Sequence, residues 1–311
     1  MRLIHKLASV LALVSMAATA APPQRHATVA IAAAQPFAIA ANPLATRAGL
    51  NVLKRGGSAV DAAIAMQAML SLVEPQSSSV AGGAFMTYLD GRTGKITIYD
   101  GREVAPAQAT STMFLDSSGK PLPFDTAVLS GRATGVPGVL KMLDLAHREH
   151  GKLRWGTLFG EAERTADQGF IVSPRLSRMI HADYAENHAP DVVRYFSKPD
   201  GTLLSAGDRL VNKPYARFLR RLATQGTAAL YGGSTGAKIV ARTRAAPLGG
   251  TMTMADLAGY RPVKREAICG PYRVYTVCVP PPPASGVGLL ELLALLQHTD
   301  IAARGPNDAQ A

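Results

Sequence analysis

Arg102 lies in the run Asp100-Gly101-Arg102-Glu103-Val104-Ala105-Pro106, a charged loop flanked by glycine and proline. A guanidinium fork binds a carboxylate through two parallel hydrogen bonds, so an arginine on such a loop can anchor an anionic ligand end. An ion pair with Asp100 or Glu103 explains the same residue, and spacing alone favours that pairing. Gly232-Gly233-Ser234-Thr235-Gly236 matches the nucleophile-elbow pattern, whose chemistry needs a strand before it and a helix after it. A helical stretch, Tyr215–Ala223, precedes it instead, and the segment reads as a turn. His147 and His150 have a helical spacing that suits a metal ion, but no third ligand is evident, and they read as a polar helix face. Gly131–Gly138 is neither a dinucleotide fingerprint nor a phosphate loop, because no Lys-Ser/Thr follows. Spacing alone therefore leaves two readings of Arg102, a paired surface arginine, which it favours, and a substrate-binding residue. No catalytic residue, metal ligand or cofactor site is assigned within the chain.

The elements that must position Arg102 begin well upstream of it. Asn42 caps a helix with Pro43 at its first position, and Leu44, Ala48 and Val52 line one side. Lys54 and Arg55 occupy its last turn, and Gly56-Gly57 closes it. Ser58 caps a second helix, Ala59–Val73, with Asp61 as capping-box partner. That helix is apolar nearly all round, which predicts burial. Glu74-Pro75 ends it, since the residue before a proline resists the helical region. A Ser/Gly-rich turn runs from Gln76 to Gly83. Phe85–Leu89 and Lys95–Tyr99 then read as strands of a hairpin joined by Asp90-Gly91-Arg92-Thr93-Gly94, with Arg102 at its exit.

Upstream, Thr28–Ala34 and Phe37–Ala41 read as short core strands. Beyond Pro106 the chain is loop-like through Asp125. Helices are predicted over Val139–His150, from Trp155 to Gln168, after Ser173-Pro174, and over the strongly apolar Leu289–Leu296. Gly305-Pro306-Asn307-Asp308 reads as a turn and the cap of a further helix, which fits either a frayed natural tail or a truncated chain.

With 311 residues, 47% hydrophobic and 18% charged, the composition is that of a globular protein. The net charge of +11 is scattered. The nearest cluster, Arg217, Arg220 and Arg221 beside Phe218, reads as the wet side of one helix rather than a nucleic-acid surface. Residues 1–20 have the pattern of a secretory signal: Arg2 and Lys6, an apolar run from Leu7 to Ala17, then Ala18-Thr19-Ala20. That run is too short to span a membrane, and export to a periplasm is expected. Cys269 and Cys278 flank a hairpin whose turn is expected near Gly270-Pro271. That would set Cys269 opposite a residue near 273 and leave two buried free thiols, too few for a metal site.

An ordered set of segments resembles the gamma-glutamyltransferases. They are Asn42-Pro43-Leu44-Ala45, Gly57-Ser58-Ala59-Val60-Asp61-Ala62-Ala63, Val73-Glu74-Pro75, Gly82-Gly83-Ala84-Phe85 and the Arg-Glu-x-Ala-Pro at Arg102. Gly-Val-Pro-Gly before Val139, His147-x-x-His150-Gly, Trp155, Gln168-Gly169-Phe170, Gly249-Gly250-Thr251, Asp256-Leu257-x-x-Tyr260 and Pro281-Pro282-Pro283-Ala284-Ser285-Gly286 extend it over nearly the whole mature chain.

The resemblance implies an α/β (α+β) fold, a four-layer αββα sandwich of the N-terminal-nucleophile hydrolases, here incomplete at the C-terminus. It implies a zymogen that cuts itself into two subunits, with residues 21–311 as the large-subunit portion. Its substrate would be a gamma-glutamyl compound such as glutathione, passed to water or an amino acid through an acyl-threonine, without metal or cofactor. Arg102 would hold the substrate's alpha-carboxylate, and Glu103 would orient the loop. The family marks its nucleophile with Thr-Thr-His, a sequence this chain lacks, so the threonine would come from the small subunit and this chain would be inactive alone. Val80-Ala81-Gly82-Gly83-Ala84 departs from the family's glycine triplet, and Ala284-Ser285-Gly286-Val287 from its Ser-Ser-Gly-Gly. A related acylase, for example one acting on beta-lactam side chains, and a non-catalytic exported scaffold are the alternatives.

Overall fold

The computed structural model describes residues 35–245, 247–305 and 308. The secretory signal, the Thr28–Ala34 strand and part of the turn at Gly305-Pro306-Asn307-Asp308 lie outside the described residues.

Two helices begin as their caps dictate. In α1 (Pro43–Lys54) Asn42 Oδ1 accepts from the Leu44 N–H at 3.0 Å. In α2 (Ala59–Val73) Ser58 Oγ accepts from the Asp61 N–H at 3.1 Å, and Asp61 Oδ2 accepts from the Ser58 N–H at 2.9 Å. The same Asp61 oxygen accepts from the Lys152 and Leu153 N–H groups at 2.9 and 3.0 Å. This fully buried carboxylate thus ties the start of α2 to a distant loop.

β1 (Ala84–Leu89) and β2 (Ile96–Gly101) form the expected hairpin, with Ala84 opposite Gly101 and Phe85 opposite Asp100. Then come α3 (Phe124–Leu129), α4 (Val139–His150) and α5 (Gly160–Gln168). The single helix predicted from Trp155 to Gln168 is instead a 3-10 turn, Trp155–Leu158, followed by α5. The tighter winding turns Leu158 and Phe159 into the core.

β3 (Phe170–Ile171), α6 (Pro174–Ile180), α7 (Pro190–Tyr195), β4 (Arg209–Leu210), α8 (Lys213–Gln225), α9 (Ala228–Tyr231) and α10 (Gly233–Thr243) follow. The chain continues with α11 (Met254–Gly259), β5 (Val263–Arg265), β6 (Ile268–Tyr272), β7 (Tyr275–Val279) and α12 (Gly286–Leu296). β1, β2 and β5 make one antiparallel sheet in that order, while β3–β4 and β6–β7 are two-stranded ribbons. Helix and strand are mixed in the α+β manner.

α2 is the central member of the core and packs on α1, α4 and α5. Ile64, Met69, Leu72, Tyr99, Leu140, Phe159, Leu219 and Leu222 are sealed from water around it. Each such side chain contributes about 1.5–3 kcal/mol by leaving water.

Two further expectations fail. Phe37–Ala41 forms no strand, because no neighbouring strand among the described residues offers it a ladder. Phe37 and Ile39 are exposed, and the Ala40 N–H donates to a side chain, Thr46 Oγ1. Cys269 and Cys278 are neither free nor buried: they form a disulfide, with Cys269 exposed and Cys278 half-buried. The hairpin turns at Arg273-Val274 rather than Gly270-Pro271, with Arg273 in the left-handed region at φ 53°. That register sets the two cysteines directly opposite, with Cα atoms 4.1 Å apart.

Candidate active-site loop

Arg102 follows directly on the last residue of β2, and its peptide is held from both sides. Its N–H donates to Asp100 Oδ1 at 2.9 Å. Its carbonyl accepts from the Tyr260 hydroxyl at 2.7 Å. Asp100 is buried and is itself fixed by Arg265 Nε at 2.6 Å on its other oxygen. Tyr260 is buried at the end of α11. Burial, with the charges of Asp100 and Glu103, pushes its hydroxyl up to about 12, so it stays a donor throughout the neutral range.

Glycines allow the loop to lie close to its neighbours. A Cβ on Gly83 would collide with the Glu103 carboxylate, and one on Gly135 would come 2.9 Å from Glu103 Cγ. A Cβ on Gly138 would strike the Tyr260 hydroxyl and the Gly101 carbonyl. Val104 and Val136 form an isolated antiparallel bridge just beyond. Gly82 O accepts from the Gly138 and Val139 N–H groups at 3.0 and 3.1 Å, which pins the turn after α2 to the start of α4. The departure from the glycine triplet thus spares Gly83, where space demands glycine, and falls on exposed Ala81 and on Ala84, the first residue of β1.

The side chain of Arg102 remains 52% exposed, and Glu103 is its ionic partner, with Nε 3.2 Å from Oε1. The pairing that spacing favours is therefore present with Glu103, while Asp100 serves Arg265. An exposed pair of this kind contributes about 0–1 kcal/mol, so an incoming carboxylate can compete for the guanidinium. Asp256 steadies the far end of the loop by accepting from the Ala107 N–H at 2.9 Å.

The other candidates come apart. Gly232–Gly236 is neither an elbow nor a free turn: α9 precedes it and Gly233 opens α10. His147 and His150 do not converge on a common point. His147 Nε2 lies 2.9 Å from the Leu153 carbonyl, while His150 stacks on Tyr88 and meets the Tyr99 hydroxyl at 2.8 Å. Both are half-buried on α4 and make structural contacts. No cluster that could hold a metal ion exists among the described residues. Arg220 pairs with Glu163 at 2.7 Å across the outer side of α8, as a solvated face would. Tyr260 was missed as part of this loop. Its motif with Asp256 was visible, but nothing in the spacing links it to a residue 158 positions away.

Comparisons with known proteins bear on the chain as a whole and agree on one family. The family model described as gamma-glutamyltranspeptidase matches residues 45–311. The chain belongs to that family. It is 40% identical over 263 residues to the glutathione hydrolase proenzyme of Bacillus subtilis strain 168, covering 84% of this chain and 44% of that one. It is 35% identical over 272 residues to the acylase ACY 1 proenzyme of Pseudomonas sp. strain V22, covering 85% and 48%. The crystal structure of Helicobacter pylori gamma-glutamyltranspeptidase superposes with a TM-score of 0.81 at 30% identity, over 88% of this chain and 78% of that one. The chain spans about half the length of the curated relatives it matches.

Proposed function

We propose that residues 21–311 are the large-subunit portion of an exported gamma-glutamyltransferase and glutathione hydrolase, preceded by a signal peptide at residues 1–20. Arg102 receives the alpha-carboxylate of a gamma-glutamyl donor. A second subunit from the same precursor supplies the threonine that attacks the gamma-carbonyl. Its hydroxyl proton passes to the threonine's own alpha-amine and then to the departing amine, and water or an amino acid resolves the acyl-threonine. The observation that carries this reading is the half-exposed Arg102 guanidinium on a loop whose backbone is clamped at both ends. The Cys269–Cys278 disulfide supports an oxidising compartment outside the cytoplasm. No helix among the described residues is long and apolar enough to cross a membrane.

The likeness to an acylase proenzyme favours one rival, an acyl donor without an alpha-carboxylate. The test is hydrolysis by the processed enzyme of two anilides, gamma-glutamyl and its analogue lacking the alpha-carboxylate. Strong preference for the first supports the gamma-glutamyl reading. Equal rates favour the acylase, and no turnover of either favours a non-catalytic protein.

A further inference from the structure

Tyr260 joins the Arg102 peptide to the α11–β5 segment, which also meets this loop through Asp256 and Arg265. Lys141, on α4, donates from Nζ to the carbonyls of Leu257, Ala258 and Tyr260 at 3.3, 3.0 and 2.9 Å, so the end of α11 is anchored to α4. The same ammonium lies 4.5 Å from the centroid of the Tyr231 ring, which stacks on Tyr260 at 6.4 Å. The Tyr231 hydroxyl donates to the Pro137 carbonyl at 2.9 Å, next to Gly138. Tyr260 thus arrives with its backbone and ring already fixed, and its hydroxyl donates to the Arg102 carbonyl at 2.7 Å.

That contact acts on the residue whose side chain must meet the ligand. Both carboxylate oxygens can bond a guanidinium only if its plane is presented squarely, so a small rotation of the Arg102 peptide spoils the fork. Asp100 fixes one side of Arg102 and leaves its carbonyl side to Tyr260. The glycines at 83, 135 and 138 leave room for the loop but make no hydrogen bond to the Arg102 peptide.

We propose that Tyr260 is a positioning residue for Arg102, holding its carbonyl so that the guanidinium is aimed at the alpha-carboxylate of a gamma-glutamyl ligand. The proposal rests on the substrate role of Arg102 given above. It assigns a function to the Asp256-Leu257-x-x-Tyr260 motif, which otherwise reads as an ordinary helix end.

Tyr260→Phe keeps the ring and its stacking on Tyr231 and removes only the donor. In the processed enzyme that contains this chain, the expected result is a KM for the gamma-glutamyl anilide raised by up to about tenfold, with kcat within about twofold. Arg102→Ala serves as the reference for a lost anchor. Tyr195→Phe, which alters a hydrogen bond to Asn212 at α7, serves as the control for general destabilisation. The second measurement is amide hydrogen exchange of the 311-residue chain, where Tyr260→Phe is expected to speed exchange across 101–107 but not in α2. A KM unchanged in Tyr260→Phe while Arg102→Ala raises it overturns the positioning role, as does unaltered exchange across 101–107. A KM that Arg102→Ala leaves unchanged overturns the substrate reading instead, and the exchange result then still decides whether Tyr260 holds the loop.

Discussion

Asn42 Nδ2 donates to Glu74 Oε1 at 2.9 Å, joining the cap of α1 to the end of α2 across 32 residues of chain. Glu74 is 1% exposed, and its second oxygen accepts from Gln76 Nε2 at 2.7 Å and from Arg175 Nη1 on α6. One buried carboxylate therefore fixes the start of the turn that leads to Gly82 and Gly83 beneath the Arg102 loop. Removing Arg175 strands that charge with only amide donors. Arg175→Ala is expected to lower unfolding free energy by about 2–4 kcal/mol in urea titration, discounted for the 44% exposure of Arg175. Adding Glu74→Gln to it should restore part of the loss, since the stranded charge is gone. A loss for Arg175→Ala below about 0.5 kcal/mol would remove the pair from the account.

The disulfide gives a second expectation. Cys269 and Cys278 close a loop of sequence separation 9, for which chain-entropy reasoning gives about 2.5 kcal/mol. Replacing both with serine should lower the unfolding free energy by roughly that amount, and a reductant should then have no further effect. If reductant leaves the wild-type melting temperature unchanged while thiol titration shows the bond broken, the bridge contributes nothing.

Acid should loosen the outer end of the Arg102 loop. Hydrogen bonds from Thr253 and the Ala107 N–H hold the Asp256 carboxyl below its ordinary range. A folded-state value below the unfolded one means the unfolded chain binds more protons in the acid range, so stability rises with pH there. The contribution is present above the unfolded value near 4 and is lost as pH falls through the folded value. Asp256→Asn should flatten this part of the stability–pH curve below about pH 4. An identical acid limb in the variant would show that Asp256 is not coupled to folding.

Alkali acts in the opposite sense on Tyr260. Its value, raised to about 12 from an ordinary 10, contributes stability that is complete below the unfolded value and lost as pH climbs through the folded one. Burial likewise raises Tyr99, Tyr215 and Tyr231. Melting temperature should therefore fall from about pH 10 upward, and less steeply in Tyr260→Phe. Equal slopes would contradict the assignment.

Local rules reached far into this fold and then stopped at pairings over long distances. Ser58 and Asp61 made a capping box because both partners lie within one turn, and Asn42-Pro43 and Gly56 bounded α1 for the same kind of reason. The β1–β2 hairpin was legible from its turn residues and placed Arg102 correctly at the strand exit. In the β6–β7 hairpin Gly270-Pro271 has the composition of a turn, while the chain reverses at Arg273, a residue with no local signal for positive φ. Phe37–Ala41 had strand-like composition, but a strand exists only beside a partner. At the candidate site, Arg102 and Glu103 were legible as a charged loop, whereas Tyr260, Gly135 and Gly138 enter through packing that only the folded chain reveals.

The central claim concerns what the Arg102 guanidinium is for, and its KM measures that most directly. Charge-assisted hydrogen bonds to a carboxylate contribute roughly 1.5–3 kcal/mol, or about 10- to 150-fold in binding. In the processed enzyme, Arg102→Ala should raise KM for a gamma-glutamyl anilide within that span. Arg102→Lys should recover only part of the loss, because an ammonium cannot form the fork. A KM for Arg102→Ala equal to that of the unaltered enzyme would contradict the account.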